Sequence, residues 1–294
     1  MIEETAASPS LEQAVRRYWN AHPISIESVP NVRGSREQFD AIYNLWQHNG
    51  TLKLKEFLDS CRGKKVLEVG CGIAIDGRFL SEQGIDYQAV DLSLESLKLA
   101  NEHFRQNNLR RRFVNADATQ IPFGDKTFDL VYSFGVLHHV PAAPKACHEI
   151  ARVLKPGGIL RVMLYHRHSY HYFLVAYFVR PLIWLLLRLP FGEAAARRGP
   201  TKLRDMYEIS RVHGFSKQRL LSISTDTSEA GENNFNPYSN FYTEKDLCAL
   251  FGGFEDFNFW KSGLKYFPLP WMRGTFERRW GFFLQMTARK YTDG

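Results

Sequence analysis

The stretch KVLEVGCGIAIDGRFLSEQGIDYQAVD, residues 65–91, decides the fold of this chain. Lys65–Val69 is a short apolar run that predicts a buried strand, and Asp76–Glu82 opens a helix. Tyr87–Val90 predicts a second strand, which ends at Asp91. A strand, a helix and a strand in this order are typical of an α/β protein with a parallel sheet.

The same alternation continues along the chain. Ser93 is a favourable N-cap for the next helix, and Thr243 is another for a helix near the end of the chain. Further short apolar runs predict strands at 112–114, 128–133, 159–164, 257–261 and 282–290. We therefore expect an α/β fold: a doubly wound, mostly parallel seven-stranded sheet of Rossmann-like type, with N-terminal helices and a helical cap insertion.

Gly70 and Gly72 lie directly between a strand and a helix. Glycine there allows a tight turn and close approach of a ligand, and the helix N-terminus favours an anionic group. Asp91 follows 21 residues after Gly70, where a carboxylate can accept hydrogen bonds from two ribose hydroxyls. These residues alone leave open NAD, another adenosine ligand, a turn that only packs, or an Asp91 that only caps a helix.

A third motif narrows the identity of the ligand. Residues 115–139 read NADATQIPFGDKTFDLVYSFGVLHH, and LKPGG follows at Leu154–Gly158. With the first two motifs, this order resembles the class I S-adenosylmethionine-dependent methyltransferases, above all the ubiquinone- and menaquinone-biosynthesis subgroup. The resemblance covers residues 65–164 and implies S-adenosylmethionine as the cofactor.

The resemblance also implies which residues bind that cofactor. Asp91 would hold the ribose, Leu92 would pack on the adenine, and Asp117 would accept from its amino group. One departure is Ala74, where the family usually has a third glycine; alanine is small, so we expect binding to survive. The full predicted cofactor set is Glu68, Gly70, Cys71, Gly72, Asp76, Asp91, Leu92, Asp117, Ala118, Ser133, Phe134 and Gly135. Asp76 could meet the methionine amino group or only compensate the helix dipole.

Composition and charge restrict the class of protein further. A chain of 294 residues, 44% of them hydrophobic, can bury a full core. The net charge of +7 is concentrated in residues 161–221, which have 11 basic and 3 acidic residues. The four cysteines form no CxxC pair and lack metal-ligand spacing, which is typical of a protein whose thiols stay reduced. The polar N-terminal segment shows no secretory signal. We therefore expect a cytoplasmic protein and no metal site.

After Tyr165 the alternation stops, and a basic, aromatic insertion begins. Its apolar run, residues 172–191, is long enough to cross a bilayer, but Arg180 and Pro181 lie at its centre. We interpret it as two helices broken at Pro181, which either form a cap with its own core or contact a membrane surface. The predicted units are an N-terminal helical segment over the cofactor site (1–60), the cofactor-binding core (61–165), the cap (166–242) and the last helix and strands (243–294).

Histidines near the predicted strand ends are candidates for a catalytic base, because parallel sheets bind ligands at that edge. His138 and His139 follow the fourth strand, and Tyr165 and His166 follow the fifth. Packing roles for the HH pair and for His166 stay open at this point.

The predicted function is methyl transfer from S-adenosylmethionine to a small apolar or aromatic metabolite resembling a lipid, quinone or natural product, with oxygen slightly favoured as the methylated atom. Alternatives are an RNA or protein methyltransferase, or a protein that binds the cofactor without turnover. We do not expect nucleic acid as a partner, because the insertion is too apolar. A nicotinamide oxidoreductase ranks last, because Ile75 stands where its third glycine would be.

Overall fold

A computed structural model describes residues 10–24, 26, 29–48, 54–199, 204, 207, 236–264 and 270–292. Its seven strands form one sheet. In chain order they are β1 (Lys65–Val69), β2 (Asp86–Asp91), β3 (Phe113–Asn115), β4 (Phe128–Phe134), β5 (Leu154–Tyr165), β6 (Phe254–Ser262) and β7 (Phe283–Lys290).

The strand order is β3-β2-β1-β4-β5-β7-β6. The pairs from β3 through β5 are parallel, and β7 runs antiparallel to both β5 and β6. The order reverses between β1 and β4, which is the switch point where sheets of this kind bind ligands. The predicted doubly wound, mostly parallel seven-stranded sheet is confirmed.

Helices cover both faces of this sheet. They are α1 (Leu11–Ala21), α2 (Arg36–His48), α3 (Leu54–Cys61), α4 (Ile75–Glu82), α5 (Leu94–Gln106), α6 (Ala143–Val153), α7 (Arg180–Leu187), α8 (Gly192–Arg198), α9 (Glu244–Leu250) and α10 (Arg273–Trp280). The two predicted N-caps are confirmed. Ser93 Oγ accepts from the backbone N–H of Ser96 at 3.0 Å, and Thr243 Oγ1 accepts from that of Asp246 at 3.2 Å.

Side chains alternate between two separate cores. On one face, Val131 and Val162 of the sheet pack with Ile150 of α6. On the other face, Tyr132 packs with Phe57 of α3, whose ring centroid lies 5.0 Å away. The period of two along β4 therefore sends consecutive residues to opposite cores, as a sheet covered on both faces requires.

Strand β5 begins earlier in the chain than the sequence predicts. The prediction starts this strand at residue 159, but β5 begins at Leu154. Phe128 pairs with Leu154 and Leu130 pairs with Ile159, so the extra residues form a bulge. Gly157, with a φ of +70°, adopts the left-handed conformation inside it. The KPGG segment therefore belongs to an irregular strand and not to a loop.

The cap insertion is mainly helical between residues 172 and 198. A π-helix spans Tyr172–Val179 and passes directly into α7, whose second residue is Pro181. The predicted break at Pro181 is thus a change of helix type at that point. Among the described residues, no helix combines the length and hydropathy that crossing a bilayer requires. Most of the predicted cap after residue 199 lies outside the described residues.

Candidate functional site

A cavity of about 630 Å³ opens where β1, β2, β4 and β5 end. Its wall includes Gly70 after β1, Asp91 at the end of β2, Phe134 at the end of β4 and Tyr165 at the end of β5. The volume falls in the range of roughly 300–1,000 Å³ that is usual for small-molecule and cofactor sites. The strand order thus places one cavity at the switch point.

The glycine turn forms the floor of the cavity. Gly70 has a φ of +81°, and a Cβ there would lie 2.2 Å from a methyl carbon of Val136. Its N–H donates to the carbonyl of Val90 at 2.8 Å, which ties the turn to β2. Gly72 has a φ of +53°, but a Cβ on it would meet nothing closer than Ile24 at 4.0 Å. Glycine at position 70 is therefore favoured by packing and conformation together, and at position 72 by conformation alone.

Asp91 is fixed at the rim by two backbone donors. One carboxylate oxygen accepts from the N–H of Gly72 at 2.7 Å, and the other accepts from that of Ser93 at 2.8 Å. Burial raises the pKa of Asp91, and these two hydrogen bonds oppose the shift. A carboxylate held at both oxygens keeps one orientation toward the cavity.

Asp117 lies along the same wall. Its Oδ1 accepts from the backbone N–H of Thr119 at 2.9 Å and from the Thr119 hydroxyl at 2.8 Å. Its Oδ2 lies 3.8 Å from the guanidinium of Arg16 on α1. Ala118 beside it also lines the cavity. The N-terminal helix α1 therefore brings a basic side chain to this carboxylate.

Two acids, the buried Glu68 and the half-buried Asp76, line the inner end of the cavity. Glu68 accepts a short hydrogen bond from the hydroxyl of Tyr87. Burial raises the pKa of Glu68 well above its usual range, and the nearby Asp76 raises it further. Burial also raises the pKa of Asp76 to about 6, against the opposing charge of Arg161. Asp76, with its pKa of about 6, therefore supplies the carboxylate that suits an ammonium group at this end of the cavity.

Arg161 is a charged residue near the site that sequence reasoning missed. Only 5% of it is exposed, and its guanidinium carbon lies 4.7 Å from the ring centroid of Phe57, 5.3 Å from Trp260 and 5.5 Å from Phe134. Such stacking on three aromatic rings stabilises a buried cation. Its position inside an otherwise apolar strand could have drawn attention, because arginine is rarely buried without a partner.

The structure brings most of the predicted cofactor residues together. Those that line the cavity are Glu68, Gly70, Cys71, Gly72, Asp76, Asp91, Leu92, Asp117, Ala118, Phe134 and Gly135. Ser133 is the exception. It is fully buried, and its hydroxyl donates to the carbonyl of Val69 at 2.9 Å, so it joins two strands behind the cavity wall.

The other end of the cavity is aromatic. Trp19 of α1, His139, Tyr165 and Phe283 line it. The rings of Trp19 and His139 lie 5.0 Å apart, and those of His139 and Tyr165 lie 5.5 Å apart. His139 and Tyr165 are thus the two predicted catalytic candidates that border the cavity.

His139 is held by the end of the insertion. Its Nδ1 lies 3.0 Å from the carbonyl oxygen of Tyr238, 2.6 Å from Nδ2 of Asn236 and 3.2 Å from the hydroxyl of Ser239. Asn236 and Ser239 are fully buried. Sequence reasoning missed both residues, because they follow His139 by about a hundred positions and carry no local motif.

The other two predicted catalytic residues lie behind the wall. His138 is fully buried, packs 3.7 Å from the ring of Tyr165, and has no hydrogen-bond partner at either ring nitrogen among the described residues. His166 places its Nδ1 3.0 Å from the carbonyl oxygen of Gly281. Burial lowers the pKa of His166 to about 4 and that of His138 well below its usual range. Neither residue lines the cavity.

The cavity fits the cofactor that the resemblance implies. Asp91 and Asp117 present acceptors suited to ribose hydroxyls and an adenine amino group, and the carboxylate of Asp76 at the inner end suits the ammonium of a methionine. Gly135, with a φ of +74°, leaves the wall beside that end without a side chain. Ala74 occupies the left-handed region with a φ of 55°, so the glycine it replaces is not needed for the turn to form.

Comparisons with known proteins agree with this site. Residues 67–162 match the family model described as a methyltransferase domain. A methyltransferase of Streptomyces halstedii, GfsG, is 35% identical over 115 residues, which is 38% of this chain and 41% of that protein. A ubiquinone biosynthesis O-methyltransferase of Aliivibrio fischeri is 27% identical over 143 residues, 47% of this chain and 61% of its own. A sterol 24-C-methyltransferase of Schizosaccharomyces pombe is 35% identical over 103 residues, 34% of this chain and 27% of its own. Each match thus spans less than two thirds of the relative.

Solved structures share the whole fold at low sequence identity. The cyclase SpnF has a TM-score of 0.52 at 19% identity, with 97% of both chains covered. A protein of Pyrococcus horikoshii has a TM-score of 0.50 at 16% identity, with 93% of this chain and 98% of that chain covered. Residues 67–162 therefore match a methyltransferase domain, and this match together with the sheet topology supports S-adenosylmethionine as the cofactor.

Proposed function

We propose that the whole chain transfers the methyl group of S-adenosylmethionine to a small apolar or aromatic metabolite, with an acceptor oxygen favoured over carbon and nitrogen. One observation carries this proposal. A single cavity runs from the carboxylates of Asp91 and Asp117 to an end lined by Trp19, Tyr165 and Phe283. A polar cofactor and a flat apolar acceptor can therefore occupy adjoining parts of the same enclosure.

Two matched relatives are consistent with this class of acceptor, since one is named a ubiquinone biosynthesis O-methyltransferase and the other a sterol 24-C-methyltransferase. Another, from Arabidopsis thaliana, is named a phosphoethanolamine N-methyltransferase, so the matches alone do not select the acceptor. A lipid-, quinone- or natural-product-like acceptor is consistent with the aromatic end of the cavity.

The chain's own residues would align the reactants and exclude water. Bound S-adenosylmethionine supplies a methyl group on a sulfonium, which is already a good leaving group. The side chains of α1 that line the cavity, Val15 and Trp19 among them, close it on the solvent side, and Val15 is itself 4% exposed. Alignment and desolvation account for much of the acceleration in reactions of this type.

We assign proton transfer from the acceptor to His139. Its ring lines the cavity, and the three contacts at Nδ1 from Tyr238, Asn236 and Ser239 hold it in one orientation. A positioned histidine contributes roughly 10²–10⁴-fold to such a step. His166 is the weaker candidate, because it lies behind the wall with Nδ1 at a backbone carbonyl.

The test is a methylation assay on the full chain with S-adenosylmethionine and a panel of phenols, quinols and sterols. The readouts are S-adenosylhomocysteine and the mass of the methylated product. His139→Ala should lower product formation by about 10²-fold or more while leaving binding of S-adenosylhomocysteine unchanged. His148→Ala is the matched control, because His148 is an exposed histidine on α6.

Two results would contradict the proposal. Micromolar cofactor binding without turnover on any acceptor class would favour a protein that binds the cofactor without catalysis. Turnover on RNA or on a protein, lost at high salt, would favour the macromolecular alternative. An unchanged rate in His139→Ala would remove only the assignment of the base.

A further inference from the structure

The described part of the insertion exposes a concentrated set of large apolar side chains. We call it the apolar surface, and its members, between 41% and 60% exposed, are Phe173, Tyr177, Phe178, Leu182, Leu185, Leu186, Leu189 and Phe191. They are 8 of the 15 large hydrophobic residues that are exposed in the described chain, and all fall between residues 173 and 191. The rest are spread over distant segments, which is ordinary for a folded protein, whereas a cluster marks an interaction site.

Helix geometry places three of these side chains on one face of α7. Leu182, Leu185 and Leu186 have the i, i+3, i+4 spacing that puts side chains on one face of α7. Leu187, on another side of the same helix, is only 3% exposed. Since α7 is buried on one side and apolar on the other, its exposed face has the composition of a contact surface and not of a solvated helix.

The charge around the apolar surface indicates what covers it. Residues 166–199 contain five arginines and a single acidic residue, Glu193, which bonds Arg197 at 2.6 Å. Arg188 interrupts the apolar run itself, and Arg198 follows at the end of α8. A second copy of this chain would place like charges against each other. Apolar side chains flanked by arginines instead match an anionic lipid surface, whose headgroups attract the cations while its acyl region takes up the side chains.

The apolar surface is joined to the aromatic end of the cavity. Tyr172, at the start of the π-helix, is buried, and its ring packs 4.5 Å from that of Phe241. Phe241 in turn packs 5.3 Å from Tyr165, which lines the cavity. The hydroxyl of Tyr172 lies 3.3 Å from that of Tyr177, a member of the apolar surface. One aromatic cluster therefore connects the exposed helices to the place where an apolar acceptor would bind.

We propose that the apolar surface docks this protein onto an anionic lipid bilayer, with the π-helix and α7 lying in the interface and the arginines that follow α7 in the chain on the headgroups. Apolar helices with basic flanks bind membranes in this way without spanning them. The docking needs no methyl transfer, so it stands or fails independently of the proposed activity.

The test is cosedimentation of the full chain with vesicles, without cofactor or acceptor. One set consists of phosphatidylcholine alone, and the other of equal parts phosphatidylcholine and phosphatidylglycerol. We expect stronger binding to the anionic set, weakened by salt. The double substitution Leu182→Gln and Leu185→Gln should lower the partition coefficient on the order of tenfold or more, and Arg198→Gln should lower it about fivefold on the anionic set alone.

Val32→Gln is the matched control, because Val32 is 78% exposed but lies far from the insertion in sequence. It should bind as the unchanged chain does. Circular dichroism and binding of S-adenosylhomocysteine show that each variant is folded. The proposal is overturned if the unchanged chain does not sediment with anionic vesicles, or if the leucine variant binds as the control does. It is also overturned if light scattering shows a dimer that the leucine substitutions convert to a monomer, because a second copy would then cover this face.

Discussion

Replacing Gly70 with alanine should damage the floor of the cavity more than the same change at Gly72. At Gly70 the new Cβ would lie 2.2 and 2.7 Å from the two methyl carbons of Val136 and 3.0 Å from its Cβ. Carbon atoms pack at about 3.5–4.0 Å, so either Val136 or the turn must move by more than an ångström. At Gly72 no atom lies closer than 4.0 Å.

Comparing the Gly70→Ala and Gly72→Ala variants separates the cost of steric overlap with Val136 from the cost of backbone strain. Both positions have a positive φ, and alanine in that region costs roughly 1–2 kcal/mol at each. Overpacking in a closed site costs typically 1–3 kcal/mol more. Gly70→Ala should therefore lower the free energy of unfolding by about 1–3 kcal/mol more than Gly72→Ala.

The assay is urea unfolding followed by circular dichroism and fluorescence, with calorimetric titration of S-adenosylhomocysteine on the folded variants. Val136→Ala in the Gly70→Ala background removes the two methyl carbons, so the double variant should recover part of the lost stability. Equal stability of the two single variants, or no recovery in the double variant, would refute the argument from steric overlap.

Three further predictions concern charged groups. Asp91→Ala should weaken binding of S-adenosylhomocysteine by about 1–3 kcal/mol, since ribose hydroxyls would lose their acceptor; an unchanged affinity in calorimetry would contradict the ribose assignment. Burial raises the pKa of Asp76 to about 6, and a protonated carboxyl no longer attracts the cofactor's ammonium. The affinity of the unchanged chain for S-adenosylhomocysteine should therefore fall as the pH drops below about 6. The affinity of Asp76→Asn should vary little over the same range. Burial lowers the pKa of His103 in the folded chain from 6.5 to about 4. As the pH falls, His103 is therefore protonated in the unfolded chain before it is protonated in the folded chain, which favours unfolding. The unchanged chain should therefore lose up to roughly 3 kcal/mol relative to His103→Gln between pH 6.5 and 4, and parallel urea curves would exclude this.

Local pattern predicts the elements of this fold well because their causes are local. The apolar run at Lys65–Val69, the N-cap at Ser93 and the capping residue Thr243 each act within a few residues, and the structure confirms all three. The start of β5 is different. Its KPGG segment reads as a helix stop followed by a turn, but pairing with Phe128 extends the strand back to Leu154. Such a pairing depends on a neighbour that the local sequence does not contain.

The sequence by itself determined the fold class, the glycine turn and the position of Asp91, because the turn and Asp91 lie at strand ends, and strand ends of a parallel sheet meet at one edge. Asp117 is predicted from the family resemblance. Tertiary structure alone decided which histidine reaches the cavity. His138 and His139 are neighbours in sequence, but the short helix at Leu137–His139 turns one ring against Tyr165 behind the wall and the other into the cavity. Contacts that join residues a hundred positions apart leave no periodic signal in the chain, so only the packed structure shows them.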